Sequence, residues 1–398
     1  MIPLSKLIGA AVIGQSGGPS SVINASAYGA IKTALECEEI TNVYGMCNGI
    51  VGLLNDNLID MGKEDPDELA LMKYTPSSAL GSCRYKLADP DVDETDYIKI
   101  LEMFKKYNIR YFFYNGGNDS MDTCNKISKF MLRNGYEVRC MGIPKTIDND
   151  LAGTDHCPGF ASAAKFIATS VMEVYRDSTV YDTGMITIVE CMGRHAGWLT
   201  AASSLANISG EGPDLIYLPE RPFDEEAFLA DVQALIEKKR GVVVVCSEGL
   251  TDAAGQPIVP PVFKVGRATY FGDVSAHLAQ LVIRKLGYKA RSEKPGLIGR
   301  ASMLHVSPID RQEAVLCGET AVHAAVMGVS GKMVALMREP GETYRVRTEL
   351  VDVHEVMLTE KKLPDVFINE RGNGVTQAFI DWCTPLIGEP LPRLVSLR

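Results

Sequence analysis

Five short apolar runs in this chain each stop at a polar loop: 7–13, Tyr111–Tyr114, Val138–Ile143, Met185–Glu190 and Gly241–Cys246. Further short runs bring the count near ten, and helical patterns lie between most of them. Strands alternating with helices predict an α/β chain with mainly parallel sheets. In such sheets the strand ends open on to a common crevice where ligands bind, so the loops after the strands are the first place to look for chemistry. The length of 398 residues is too great for one ordinary core and predicts two domains.

Charge narrows the partners. The net charge is −10, which argues against non-specific nucleic-acid binding, and no apolar run approaches membrane-spanning length. An anionic substrate then requires a local basic cluster. The best one is Tyr288–Arg300, with four basic residues within twelve positions. The ten cysteines form no CxxC pair, and several lie inside apolar runs. That pattern predicts reduced thiols in a cytoplasmic protein, with neither a disulfide frame nor a zinc site. The run 7–13 reads as a first strand, not a signal peptide.

The loops differ in what they offer. Gln15-Ser16-Gly17-Gly18-Pro19 precedes a helix expected over Val22–Leu35. It reads as an anion-binding turn or as a tight turn that needs glycine. Arg84, with Lys86 nearby, follows a Gly-Ser turn and reads as a phosphate clamp or a solvated base. Gly116-Gly117-Asn118-Asp119-Ser120 precedes a helix expected from about Met121 to Asn134, which Asp119 or Ser120 could cap. Thr146-Ile147-Asp148-Asn149-Asp150 places two carboxylates on one loop with Lys145 beside it. One carboxylate suits a proton acceptor and the other a Mg²⁺ ligand, although Asp-Asn-Asp is also common turn chemistry. Beyond these, Thr251–Arg267 reads as an irregular loop, and the tail from Val351 is weakly patterned.

Taken in order, these loops, with Met192-Gly193-Arg194-His195-Ala196-Gly197-Trp198, Ser247-Glu248-Gly249 and Gly296-Leu297-Ile298-Gly299-Arg300, resemble the phosphofructokinase family over roughly Ile8–Ala335. The resemblance implies the phosphofructokinase fold: two similar Rossmann-like three-layer α/β domains with mainly parallel sheets and the active site between them. A phosphoryl-donor domain is expected at 1–157 plus about 299–350. A sugar-phosphate domain is expected at 158–298 plus about 351–398. The family implies fructose 6-phosphate as acceptor, Mg²⁺ as cofactor and a homodimer or homotetramer, with no nucleic acid or membrane as partner.

Carried over residue by residue, the resemblance makes Asp148 the base, with Lys145, Asp119 and Arg194 at the catalytic centre. It assigns Gly18, Arg84, Gly117 and Ser120 to the phosphoryl donor. Thr146, Ile147, Met192, Gly193, Arg194, Glu248, Arg291, Leu297 and Arg300 are assigned to the sugar phosphate, and Asn118 and Asp150 to the metal. Two positions select the donor. ATP-using members have glycine where this chain has Asp119 and Lys145, and both changes resemble the pyrophosphate-dependent branch. An Asp side chain fills and charges the space where the α-phosphate of ATP would lie, and Lys145 can neutralise a transferring phosphate. Four residues depart from the pattern: Asn118 for an Asp, Leu297 for a His or Tyr, Met185 for an Arg or Lys, and Tyr28 for an Arg of the bacterial effector site.

Overall fold

A computed structural model describes residues 7–265 and 268–395, without the side chains of 264, 265 and 268–270. The chain clusters into two units, 1–162 with 300–361 and 163–299 with 362–398.

In chain order the first unit supplies β1 (Gly9–Gln15), β2 (Ile40–Met46), β3 (Leu58–Asp60), β4 (Ile109–Gly116) and β5 (Arg139–Pro144). The second supplies β6 (Met185–Cys191), β7 (Leu215–Tyr217), β8 (Gly241–Ser247), β9 (Pro261–Val265), β10 (Ala268–Phe271) and β11 (Lys289–Glu293). The chain then returns to the first unit for β12 (Lys332–Arg338) and β13 (Val346–Asp352).

The first unit is a seven-stranded sheet in the order β13-β12-β5-β4-β1-β2-β3. Its five central strands run parallel, and β3 and β13 close the edges antiparallel. Alternation along β4 explains the three layers. Phe112 and Tyr114 point to one face, where Ile100, Phe104, Met121 and Phe130 pack. Tyr111 and Phe113 point to the other, against Ala27, Ile31, Ala321 and Val322. On that second face the helices Ile23–Glu36 and Pro308–Val326 approach closely at two glycines. A Cβ on Gly29 would lie 2.2 Å from the Val315 carbonyl oxygen, and one on Gly318 would lie 2.1 Å from that of Ser26. Strand β1 is flanked by β2 and β4, so the chain order reverses there. The loops after β1 and β4 therefore open at a topological switch point.

The second unit is a parallel sheet ordered β11-β6-β8-β7, with an antiparallel pair, β9 and β10, beside it in sequence. The core under it gathers Ile186, Ile188, Phe228, Val242, Val244 and Leu278. Asp224 caps the helix Glu225–Ile236, accepting from the Ala227 N–H. Near the C-terminus Phe367, Phe379 and Trp382 pack with Trp198, with ring centroids 5.0–6.0 Å apart.

Two expectations are corrected, and the weakly patterned tail holds short elements. The segment 251–267 is not wholly irregular: β9 and, after 266–267, β10 form a hairpin there, which Pro and Gly punctuation concealed. The tail from 351 holds the helices Val353–Met357 and Gln377–Cys383, too short to show a period. The helix after β4 begins at Asn118, not Met121, so Asp119 and Ser120 lie in its first turn and neither caps it. All ten cysteines are free. No helix among the described residues is long and apolar enough to cross a membrane.

Candidate active site

In the first unit the loops after β1, β4 and β5 line one cavity of about 410 Å³. The glycine turn supplies Gly17 and Gly18 to its wall. Two contacts hold the Arg84 loop against that turn: Ser82 Oγ donates to the Gly17 carbonyl at 2.6 Å, and the Gly17 N–H donates to the Cys83 carbonyl at 3.2 Å. From the helix Asn118–Arg133 come Gly117, Asn118, Asp119 and Ser120, so its N-terminal N–H groups and dipole face a space suited to an anion.

Lys145 follows β5 directly and is 4% exposed. Its ammonium donates to the Gly18 carbonyl at 2.7 Å. Burial lowers its pKa to about 8; Arg300 and Arg84 push the same way, and Asp148 and Asp150 oppose them. A cation held in a dry wall under a glycine turn is a strong partner for phosphate, because little water has to leave it. Arg300 belongs to this unit and stands beside the turn, since a Cβ on Gly18 would come within 3.1 Å of its Nη1. Burial, then the charge of Arg84, lowers the Arg300 pKa, and Asp148 opposes them.

Thr146 and Asp150 line the same cavity, and Ile147 is buried beneath. The Asp148 N–H donates to Thr146 Oγ1 at 3.1 Å. Asn149 takes a left-handed backbone, φ 55°, and is wholly buried; its Oδ1 accepts from the Cys157 N–H at 2.9 Å. This turn sets the two carboxylates on either side of a fixed residue. Burial raises the Asp150 pKa, and Glu360 adds to the rise.

The oxygen set fits a hard divalent cation. Asn118 Oδ1 is buried without a hydrogen-bond partner, and it lines the cavity together with the Asp150 carboxylate. No group of three or more His, Cys, Asp or Glu residues among the described residues could hold a metal by itself. A cation here would therefore draw on the Asn amide oxygen and on its own anionic ligand.

Asp119 is 71% exposed at the cavity wall, and Lys86 Nζ meets its carboxylate at 2.8 Å. This pairing changes the electrostatic reading made from sequence. Lys86 offsets part of the Asp119 charge.

The second unit brings together the ends of the adjacent strands β6 and β8. Gly193 has φ 118°, its N–H donates to Glu248 Oε1 at 3.4 Å, and its carbonyl accepts from Ser247 Oγ at 2.6 Å. Met192 is partly buried and Arg194 exposed, with the Arg194 guanidinium 6.0 Å from the centroid of the Phe271 ring. Buried Glu190 accepts from the Ser275 N–H at 2.9 Å and pairs with Lys294 at 2.8 Å, fixing the strand next to Met192–Arg194. Arg291 is exposed on the edge strand β11. It lines a separate cavity of about 270 Å³ with Met185, Thr187 and three carboxylates, Glu173, Asp177 and Glu293. Leu297 is 65% exposed at the start of the helix Leu297–Ala301.

Sequence reasoning missed Tyr85 and Glu360 on the first cavity. Tyr85 follows Arg84 and was within reach of the same motif. Glu360 carries no local signal; an isolated bridge to Leu151 brings it in.

A model of the family described as phosphofructokinase matches residues 10–325. The chain is 41% identical to the pyrophosphate–fructose 6-phosphate 1-phosphotransferase of Xanthomonas campestris pv. campestris, over 96% of this chain and 95% of that one. It is also 41% identical to the protein of the same name from Methylococcus capsulatus, over 95% and 91% of the two chains. Among solved structures, the pyrophosphate-dependent phosphofructokinase from Marinobacter aquaeolei superposes with a TM-score of 0.87 at 39% identity, covering 96% of this chain and 93% of that chain.

Proposed function

The chain belongs to the phosphofructokinase family, and from that premise we propose that it transfers a phosphoryl group reversibly from pyrophosphate to the 1-hydroxyl of fructose 6-phosphate. The products are fructose 1,6-bisphosphate and phosphate, which makes this a glycolytic or gluconeogenic step. The observation that carries the donor assignment is the ion pair of Asp119 and Lys86 on the wall of the cavity that also holds Lys145. Pyrophosphate needs cations and little room, whereas ATP needs space for a nucleoside.

We assign the first unit to the donor and the second to the sugar phosphate. Lys145, Arg84 and the N–H groups at the start of the helix Asn118–Arg133 hold the diphosphate, with Gly18, Gly117 and Ser120 lining its seat. Asp148 accepts the proton of the attacking 1-hydroxyl. That oxygen bonds to the near phosphorus as the bridging P–O bond breaks, and the leaving phosphate takes the electron pair. Thr146 and Ile147 shape the floor of this loop. From the second unit we assign Arg194 to transition-state charge, Met192, Gly193 and Glu248 to the sugar, and Arg291 and Leu297 to the sugar phosphate end. Arg300, beside Gly18 and Arg84, is assigned to phosphate as well. Asn118 and Asp150 are the proposed Mg²⁺ ligands; when bound, the ion would spread the charge of the diphosphate. We further assign a homodimer or homotetramer acting in the cytoplasm, where ten free thiols would stay reduced.

A donor assay tests the reading: purified protein with fructose 6-phosphate and Mg²⁺, given pyrophosphate or ATP in parallel. Product is expected with pyrophosphate alone. Turnover with ATP alone would refute the donor assignment. Turnover only with another acceptor, such as sedoheptulose 7-phosphate, would move the sugar assignment.

A further inference from the structure

The loop that carries Asp148 and Asp150 is held by a short segment more than 200 residues downstream, at the end of the first unit's chain. Glu360 forms an antiparallel bridge with Leu151. The Lys361 N–H donates to the Asp150 carbonyl at 2.7 Å. The Lys361 ammonium donates to the carbonyls of Thr154 and Asp155, each at 2.9 Å, and reaches Asn149 Oδ1 at 3.5 Å. One lysine thus engages the loop at four residues, 149, 150, 154 and 155.

These contacts fall where the loop is least able to hold itself. Asn149 is a non-glycine residue in the left-handed region, which asparagine tolerates better than most side chains and which its hydrogen bonds help to hold. The Asn149 side chain is shared between the Cys157 N–H and Lys361. Carbonyls buried in a turn also lose more when a charged donor is removed than a neutral bond would suggest.

We propose that Lys361 is a positioning residue for phosphoryl transfer. By tying the Asn149–Asp155 stretch, it fixes where the Asp148 and Asp150 carboxylates are presented. The inference rests on the role given above to Asp148. Lys361 touches neither substrate nor metal in this assignment, and its ammonium acts through the Thr154 and Asp155 carbonyls and Asn149 Oδ1.

The test compares Lys361→Met, which keeps the stem length and removes the donors, with Lys361→Arg, which keeps charge and donors. Both are made in the full chain and checked by thermal melting. A displacement of about 1 Å at a reacting group costs on the order of 100-fold in rate. In Lys361→Met kcat is expected to fall about 10- to 100-fold, while KM for pyrophosphate moves less than about threefold, because the groups assigned to the diphosphate, Gly18, Arg84, Gly117, Ser120 and Lys145, lie outside the Asn149–Asp155 stretch. Lys361→Arg is expected to recover most of kcat. Hydrogen exchange without substrate supplies a readout independent of activity: the Asp150, Leu151 and Cys157 amides should exchange about tenfold faster in Lys361→Met. Unchanged kcat and unchanged exchange in Lys361→Met would overturn the proposal. So would a loss in KM alone. If Lys361→Met does not fold, Lys361→Gln and Lys361→Arg carry the same comparison, and equal kcat in those two would overturn it. A wild-type protein inactive with pyrophosphate would instead sink the functional reading, and the exchange result would still decide whether Lys361 holds the loop.

Discussion

A lysine beneath a glycine turn, with Arg84 and Arg300 close by, is held part-way to losing its proton. Lys145 has its pKa lowered to about 8, chiefly by burial. In the free enzyme the charged form therefore dominates only below about pH 8. If that charge meets the phosphate, kcat/KM for pyrophosphate should fall through a basic limb near pH 8, since kcat/KM reports free-enzyme ionisations. In Lys145→Arg the limb should vanish up to pH 9.5, because a guanidinium stays charged; a limb that survives there belongs to another group. Asp148→Asn keeps the size of the side chain and removes the base. Turnover should fall on the order of 10²- to 10⁴-fold with the melting temperature nearly unchanged, read from initial rates and a thermal scan. Lys86→Met tests the exposed pair with Asp119. An exposed ion pair contributes little, so KM for pyrophosphate should rise only about two- to fivefold. Any ATP turnover gained would show that the pair, and not the bulk of Asp119, excludes the nucleotide.

At the scale of elements, the start of the helix Ile23–Glu36 organises the floor of the site. Gln15, at the end of β1, donates to Asn24 Oδ1 at 2.8 Å and accepts from the Leu80 N–H at 3.0 Å. Asn115, near the end of β4, donates to the Ile23 carbonyl at 3.0 Å. The glycine turn, the loop before Arg84 and the end of β4 are thus tied through one helix start. That helix keeps its depth by the close approach at Gly29 to Val315. Gly29→Ala places a methyl 2.2 Å from a backbone oxygen, and backbone cannot rotate away. The expected cost is about 1–3 kcal/mol, measured by urea unfolding. The helix would shift outward, so KM for pyrophosphate should rise as well. A variant as stable as the parent would mean that the two helices separate freely.

Across the whole molecule, what the sequence revealed was set by contact range. Strands β1, β4, β5, β6 and β8 were legible because each is a buried apolar run, and the loops after them followed from parallel-sheet geometry. The edge strand β13, the hairpin of β9 and β10, Glu360 and Lys361 were not, because each is defined by pairing that leaves no period in its own residues. The first turn Asn118–Ser120 was misread for a related reason: a polar triplet after glycine fits a cap as well as a helix start. The same limit hid a buried network in the first unit. His156 is wholly buried, with Nδ1 2.9 Å from Asp155 and Nε2 2.7 Å from Glu313. Tyr344 donates to Glu313 at 2.6 Å, and Arg338 pairs with Asp155 at 3.1 Å. Burial alone would lower the His156 pKa, but the hydrogen bonds and charges of Asp155 and Glu313 raise it to about 9. A pKa raised from 6.5 stabilises the fold fully below pH 6.5, and the contribution is lost as pH climbs through 9. The span corresponds to a loss on the order of 3 kcal/mol. Lys145 acts with the opposite sign, since its lowered pKa adds stability as pH rises from about 8 towards 10.5. A comparison of wild type with His156→Gln cancels that term. The gap in unfolding free energy between them should be widest near pH 6 and close by about pH 10. A gap that stays constant over that range would show that His156 is held neutral and contributes packing alone.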